Sequence, residues 1–243
     1  MRNPKNKITA VVLGAGSGRR MSAGKNKLFL RIKHIPILYR TLYRLDQIDL
    51  IASIILVHGK DERKQIDRDL TSFVTLSKLN HFVIGGKERA DSVRLGLKKA
   101  LEEDQHGLIM THDGARPFIT ESLVERLVNA WQPQSVVIPV QSVVETVRRK
   151  EDNGKTSIVD RSDLFAVQTP QLFSKEMIAE CFFDQGAADQ ILTDEASYFE
   201  RAGKPVTMVQ GEKWNIKLTT PADLKWADSL LHQIPELQLK GLE

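Results

Sequence analysis

The stretch Val11-Val12-Leu13-Gly14-Ala15-Gly16-Ser17-Gly18-Arg19-Arg20-Met21, with Lys27 shortly after it, decides how this chain is read. The apolar run from Ile8 to Leu13 predicts a buried strand that opens directly into a glycine-rich loop. Glycine tolerates positive φ and lets backbone N–H groups approach an anion with no Cβ in the way. Two arginines and a lysine then follow within nine residues of Gly18. Strand, glycine loop and cations in that order predict a polyphosphate site. The plain alternative, on this segment alone, is a surface strand–helix turn with solvated charges.

Two commoner phosphate loops do not fit. A dinucleotide fingerprint needs glycine at 14, 16 and 19, but position 19 is Arg, so the glycine that packs helix on strand is missing. A Walker loop ending in Gly24-Lys25 needs glycine at 19 and Ser or Thr at 26, where the chain has Arg19 and Asn26.

Short apolar strands alternate with amphipathic stretches after the loop. Residues 53–58, 82–84 and 108–111 read as strands, and 36–47 and 88–101 as helices. Ala90, Val93, Leu97 and Ala100 form one apolar face at helical spacing. Such alternation predicts an α/β domain with a mainly parallel, Rossmann-like sheet and helices on both sides. Functional loops then lie at the carboxyl ends of the strands. Residues 135–169 break the rhythm: short β-like runs at 136–140, 145–149 and 156–159 surround Asp152-Asn153-Gly154, a strong hairpin signal. Residues 174–183 and 193–202 return to helix, 205–209 can add a strand, and Pro221 begins a last helix at proline's favoured position. The chain reads as one domain over 1–243, with 141–162 as a protruding β arm.

At 243 residues the chain can bury a sizeable core, and its net charge of +4 suits polyanionic small molecules. Nucleic acid is not an expected partner, because the basic clusters Arg19-Arg20, Lys98-Lys99 and Arg148-Arg149-Lys150 are scattered and lack interleaved aromatics. The latter two read as solvated faces. Cys181 is the one cysteine, which excludes an intramolecular disulfide and suits a reducing cytoplasm. No apolar run reaches the length of a membrane span, and the basic-then-apolar start reads as the first strand and not as a signal peptide.

Four further segments stand in order after the glycine loop: Gly85-Gly86-Lys87-Glu88-Arg89-Ala90-Asp91-Ser92-Val93, His112-Asp113-Gly114-Ala115-Arg116-Pro117, Gln168-Thr169-Pro170-Gln171-Leu172-Phe173 and Asn215-Ile216-Lys217-Leu218-Thr219. With the loop, they resemble the 2-C-methyl-D-erythritol 4-phosphate cytidylyltransferase family of the non-mevalonate isoprenoid pathway, from about residue 8 to about residue 230. The resemblance implies a nucleotidyltransferase-type fold and a homodimer whose arm packs on the second subunit. It also implies attack of a methylerythritol phosphate oxygen on the α-phosphorus of CTP, releasing pyrophosphate. Both reactants are anionic, so fixed cations and Mg²⁺ (or another divalent cation) must offset the charge.

The resemblance carries roles to particular residues. Arg20, Lys27, Asp113 and Lys217 are the implied catalytic set, with Lys27 on the α-phosphate, Arg20 on the triphosphate and Asp113 on the metal. Arg19 competes with Arg20 on sequence alone. Implied CTP contacts are Ala15, Gly16, Gly18, Gly85, Gly86, Lys87, Ser92 and Gly114. Implied polyol-phosphate contacts are Thr146, Arg161, Thr169, Thr193 and Lys217, with Arg161 reaching the neighbouring subunit's site. The residues also have readings of their own. Asp113 ends an apolar strand, where a carboxylate must be paired or metal-bound, and an ion pair with Arg116 is compatible with both. His112 lacks a second ligand at metal spacing and reads as a packed histidine. Ser92 reads equally as a helix-start cap. Asp194 and Glu195 read as helix-start charges.

The chain departs from the family pattern at Leu13 and Asn26, each where proline is usual, and at Gly114, where alanine is commoner. Residues 141–146 are longer than usual and carry Glu145 in place of Asp, beside the acceptor pocket. A cytidylyltransferase for another polyol phosphate, such as ribitol 5-phosphate, therefore stays open, as does a non-catalytic nucleotide-binding module.

Overall fold

The first strand, β1 (Ile8–Leu13), is apolar at nearly every position because it is buried on both faces. Ala10 and Val12 pack into one core with Leu38, Leu42 and Leu56, while Val11 packs into a second core with Ile55, Val93 and Leu97. This computed structural model describes residues 7–16, 26–103, 105–152, 154–181 and 194–239. The expected contacts Gly18, Arg20 and Thr193, and the competing Arg19, lie outside the described residues.

After β1 the chain makes a 3₁₀ turn (Lys27–Phe29), a small ribbon of β2 (Arg31–Ile32) and β3 (Ile35–Pro36), and then α1 (Ile37–Asp46). It continues through β4 (Ile51–His58), α2 (Arg63–Phe73), β5 (Leu79–Ile84), α3 (Arg89–Glu103) and β6 (Leu108–Asp113). Next come α4 (Glu121–Ala130), β7 (Val136–Ser142), β8 (Val147–Lys150), β9 (Thr156–Val159), β10 (Phe165–Val167) and β11 (Gln171–Ser174). The described chain closes with α5 (Lys175–Cys181), α6 (Ala196–Arg201), β12 (Val206–Gln210), α7 (Pro221–Gln233) and a short 3₁₀ turn. Cys181 is buried, in the manner of a small apolar residue.

The main sheet has eight strands in the order β5-β4-β1-β6-β11-β7, with β10 and β12 also paired to β7. β4, β5, β6 and β12 pair in parallel, whereas β10 and β11 are antiparallel. One face carries the core with α1, α4 and α7, the other the core with α3, α5 and α6. The expected mainly parallel α/β sheet is therefore present. The wedge of β11 between β6 and β7 is the part that alternation of elements did not announce. Gln171-Leu172-Phe173-Ser174 is too short for periodicity and is buried at all four positions.

β8 and β9 form a separate antiparallel ribbon, the expected hairpin, in which Val147 faces Val159 and Lys150 faces Thr156. Gly154 takes a φ of +80°, which the turn requires and glycine accepts freely; Asn153 lies outside the described residues. The first strand of the ribbon begins at Val147 and not at Glu145. Its partner ends at Val159, where the Asp160 carboxylate accepts the Ser162 N–H and turns the chain, so Glu145 and Thr146 have no β9 residue to face. Gln141 and Ser142 still belong to β7, opposite Ala166 and Phe165.

Candidate active site

In the sheet, Leu13 at the end of β1 stands opposite Asp113 at the end of β6. The chain leaves β1 for β4 on one side and returns to pair β6 on the other, so the loops diverge there. This is the topological switch point, where open α/β sheets bind ligands. A cavity of about 420 Å³ opens at that place. Ala15 and Gly16 line it from the loop after β1, Lys27 from the 3₁₀ turn, Lys87 from the loop before α3, and Arg89 and Ser92 from the start of α3. Asp113 forms the floor, and Lys217 and Thr219 close it from the loop before α7.

Asp113 is the electrostatic centre. Lys217 Nζ lies 2.7 Å from Oδ2, Arg89 Nη2 3.5 Å from Oδ1 and Arg116 Nε 3.7 Å from Oδ2. Burial alone would raise the carboxyl, but Lys217, Arg89 and Arg116 outweigh it and hold Asp113 well below the usual carboxylate range. Asp113 is therefore a fixed negative charge set among cations.

Behind it, three polar groups lock the strand end. The Asp113 N–H donates to Thr169 Oγ1 (3.0 Å), and that hydroxyl lies 3.2 Å from His112 Nδ1. His112 Nε2 meets the Arg116 carbonyl at 3.0 Å, so it carries the proton and Nδ1 accepts from Thr169. Burial drives the His112 imidazole down to about 4, which keeps it neutral. The sequence reading of His112 as a packed residue agrees with this geometry. Thr169 is buried, and its hydroxyl is engaged on the Asp113 backbone and His112.

The Gly85–Lys87 loop is shaped by close contact. The Gly85 N–H donates to His58 (2.8 Å), and a Cβ on Gly85 would fall 2.4 Å from Ala15 Cβ, so only glycine lets this loop meet the β1 loop. Ser92 accepts from the Gly86 N–H and donates to the Glu88 carbonyl, both at 3.2 Å. It therefore holds the loop from within α3, beyond the capping position. Gly114 donates to the Leu13 carbonyl (3.0 Å) and joins the two strand ends.

The loop carrying Lys217 is tied down on both sides. Arg116 donates to the Asn215 carbonyl (2.7 Å), Leu218 N–H to Ala115 (2.9 Å), and Asn215 Nδ2 to the Thr169 carbonyl (2.8 Å). Lys27 Nζ donates to the Leu218 carbonyl at 2.8 Å, across the cavity mouth. Lys27, Asp113 and Lys217, far apart in sequence, thus meet at one cavity. Thr146 and Arg161 do not join them in this chain; both are exposed on the arm, where the Arg161 guanidinium donates to the Val144 carbonyl.

Two site residues escaped the sequence reading. Arg89 sits inside the quoted Gly85–Val93 segment but received no role; it faces the cavity between Asp113 and Glu195. Glu195 is not a solvated helix-start charge: it is fully buried, with Oε1 3.1 Å from Arg89 Nη1. Its position before α6 favours a surface reading, and only the packing of that segment against the sheet, with Arg89 of α3 reaching over to it, hides it. Asp194 does act at the helix start, accepting from the Ser197 N–H (3.2 Å), and it also accepts from Gln171 Nε2 (2.9 Å).

Glycine backbone at a switch point, bordered by one lysine and two arginines that converge on a carboxylate and by a second lysine at the cavity mouth, is an arrangement suited to a nucleotidyltransferase. Comparison with known proteins narrows the class. The family model described as 2-C-methyl-D-erythritol 4-phosphate cytidylyltransferase matches residues 8–233. The enzyme of that name from Syntrophus aciditrophicus is 38% identical over 228 residues, covering 93% of this chain and 97% of that protein. Its counterpart from Geobacillus kaustophilus is 39% identical over 222 residues, covering 91% and 96%. The crystal structure of 4-diphosphocytidyl-2C-methyl-D-erythritol synthase from Anaerococcus prevotii superposes with a TM-score of 0.78 at 30% identity, covering 94% of this chain and 99% of that one. The chain belongs to the 2-C-methyl-D-erythritol 4-phosphate cytidylyltransferase family.

Proposed function

We propose that this protein transfers a cytidylyl group from CTP to 2-C-methyl-D-erythritol 4-phosphate, releasing pyrophosphate, in isoprenoid precursor synthesis. The observation that carries the reading is the meeting of Lys27, Lys217 and Asp113 around one cavity beside the glycine-rich strand end. An acceptor phosphate oxygen attacks the α-phosphorus and pyrophosphate departs, so the chief obstacle is repulsion between anions. Lys27 binds the α-phosphate as negative charge grows on its equatorial oxygens, and Arg20 holds the triphosphate. Ala15, Gly16, Gly18 and Gly114 bring backbone close to the nucleotide. The Gly85–Lys87 main chain reads the cytosine, with Ser92 holding that loop in place. A site that hydrogen-bonds a base rejects the wrong one strongly, because a mismatch leaves polar groups unpaired.

Asp113 is the residue that would hold Mg²⁺. Among the described residues there is no cluster of three or more His, Cys, Asp or Glu that could cage a metal. A single carboxylate suits Mg²⁺, which keeps waters and phosphate oxygens as its other ligands. Bound there, the ion would supply charge neutralisation on the triphosphate. Lys217, whose side chain is 39% exposed, has room to turn from Asp113 toward an acceptor phosphate.

On the acceptor side, Lys217 acts from the subunit's own body and Thr169 acts by fixing Asp113; Thr193 is a further acceptor contact that the family resemblance implies. Thr146 and Arg161 act from the arm of a second subunit. The homodimer this requires is supported by the exposed apolar side chains of that region, Val144 and Ile158 at 71% and 69%. The chain works as a single domain, with the arm expected at 141–162 beginning only after Ser142, where β7 ends. A cytoplasmic location is supported by the sparing use of cysteine, a single buried Cys181; no described helix is long and apolar enough to cross a membrane.

Pyrophosphate release with CTP and Mg²⁺, comparing 2-C-methyl-D-erythritol 4-phosphate with ribitol 5-phosphate, tests the reading. Turnover confined to the methylerythritol phosphate is expected. Preference for ribitol phosphate would overturn the acceptor, and equal use of ATP and CTP would overturn the base assignment.

A further inference from the structure

Asn26, the residue before Lys27, joins three parts of the chain through one side chain. Its Oδ1 accepts from the Leu28 N–H (3.1 Å) and caps the 3₁₀ turn that carries Lys27. Its Nδ2 donates to the Gly14 carbonyl (2.8 Å) and to Glu62 Oε1 (2.9 Å). A reversed amide would set its oxygen against a carbonyl and a carboxylate, so this orientation is forced. Glu62 Oε2 in turn accepts from the Gly59 N–H (2.7 Å), just past β4. A Cβ on Gly59 would lie 2.8 Å from the Glu62 carboxyl carbon, so the carboxylate has its seat only because residue 59 is glycine. Gly14 is itself bonded to β4 through Val57 (2.7 Å). The end of β1, the Lys27 turn and the end of β4 are thereby held together by two side chains.

We propose that Asn26 and Glu62 are a positioning pair for Lys27, setting where its ammonium stands at the cavity; this rests on the transfer reaction proposed above. A lysine is a point charge on a four-carbon stem, and its aim depends on the placement of its backbone. The bond from Asn26 to the Glu62 carboxylate is charge-assisted and therefore the stronger kind. Misplacing a reacting group by about 1 Å costs up to about a hundredfold in rate.

The test measures kcat, both KM values and melting temperature for Asn26→Ala, Glu62→Ala, Gly59→Ala and Lys27→Ala, and for the Asn26/Lys27 and Glu62/Gly59 double variants. Asn26→Ala, Glu62→Ala and Gly59→Ala should each lower kcat about tenfold, leaving the acceptor KM near wild type and lowering the melting temperature by only a few degrees. Asn26→Ala should cost nothing further in the Lys27→Ala background, and Glu62→Ala nothing further in the Gly59→Ala background. Multiplying losses of Asn26 and Lys27 would overturn the proposal, as would unchanged kcat in both Glu62→Ala and Gly59→Ala. Should Asn26→Ala fail to fold, Gly59→Ala carries the test, because an added methyl there displaces only the end of the Glu62 side chain. A wild-type protein without CTP turnover would overturn the functional reading itself, whereas an active wild type with indifferent variants overturns the pair alone.

Discussion

At the scale of single residues, the site is a problem in placing charge. Lys27 faces the cavity from a short turn, and its ammonium already reaches the Leu218 carbonyl. Lys27→Ala should lower kcat/KM by about a hundredfold to a thousandfold, the size expected when one stabilising group is removed from a developing oxyanion. The melting temperature should hardly move, since one half-buried hydrogen bond contributes about 1 kcal/mol. Near-normal turnover by the folded variant would remove Lys27 from the mechanism. His112 makes a separate prediction. Its folded value, about 4, lies below the ordinary histidine value, so between the two the unfolded chain binds the extra proton. Stability should therefore fall as pH drops from about 6.5 toward 4, by about 3 kcal/mol from this group in magnesium-free buffer. Denaturant titrations across that range should show a shallower pH dependence in His112→Gln; an equal slope would refute the assignment. Lys27, Asp113 and Lys217 line one cavity; Asp113 and the cations after the glycine loop carried a reading of their own, whereas Lys217 was named only through the family resemblance. The burial of Glu195 was not legible, because a charged residue at a helix start is ordinarily solvated, and nothing local tells that this segment packs against the sheet.

At the scale of elements, the sheet and its helices follow from the apolar runs, while the connections depend on contacts across the chain. α6 shows this most clearly. Glu195, immediately before it, pairs with Arg89 at the first turn of α3, and Gln171 on β11 accepts the Ala196 N–H (2.9 Å). Arg89 keeps solvent access and its contact with Asp113 (3.5 Å) when Glu195 is removed, so what is lost is one charge-assisted interaction and its packing, about 1.5–3 kcal/mol. Glu195→Ala should lose stability of that order in denaturant unfolding, and a loss under 1 kcal/mol would mean that Arg89 finds equal solvation elsewhere. The last helix, α7, is a more local case. Thr220 and Asp223 form a reciprocal capping box, with Pro221 at the first turn as the sequence predicts. Thr220→Ala should cost about 1 kcal/mol by the same measurement, with kcat unchanged. The hairpin was legible from its turn residues, but its starting residue was not, because the register depends on where the partner strand ends.

At the scale of the whole molecule, Thr146 and Arg161, exposed on the arm, do not line the described cavity of their own chain. If the acceptor site is shared between subunits, Lys27→Ala and Arg161→Ala protomers should each be inactive as homodimers. Mixed and allowed to exchange, they should recover turnover, because one site per heterodimer then joins an intact Lys27 to an intact Arg161. No recovery in a verified heterodimer would place both groups within one subunit's site.

The sequence by itself determined the α/β architecture, the glycine-rich nucleotide end of β1 and the residue types that converge on phosphate chemistry. Each of these rests on local pattern, either apolar periodicity or a short motif whose spacing meets a chemical need. Tertiary structure alone decided that β11 inserts antiparallel beside β6, that Thr169 and His112 lock the strand end under Asp113, and that Glu195 is buried against Arg89. Those features join residues from 56 to 106 positions apart, such as Asp113 with Thr169 and Arg89 with Glu195. Burial and pairing at such separations are properties of packed surfaces, and no window of sequence contains both partners.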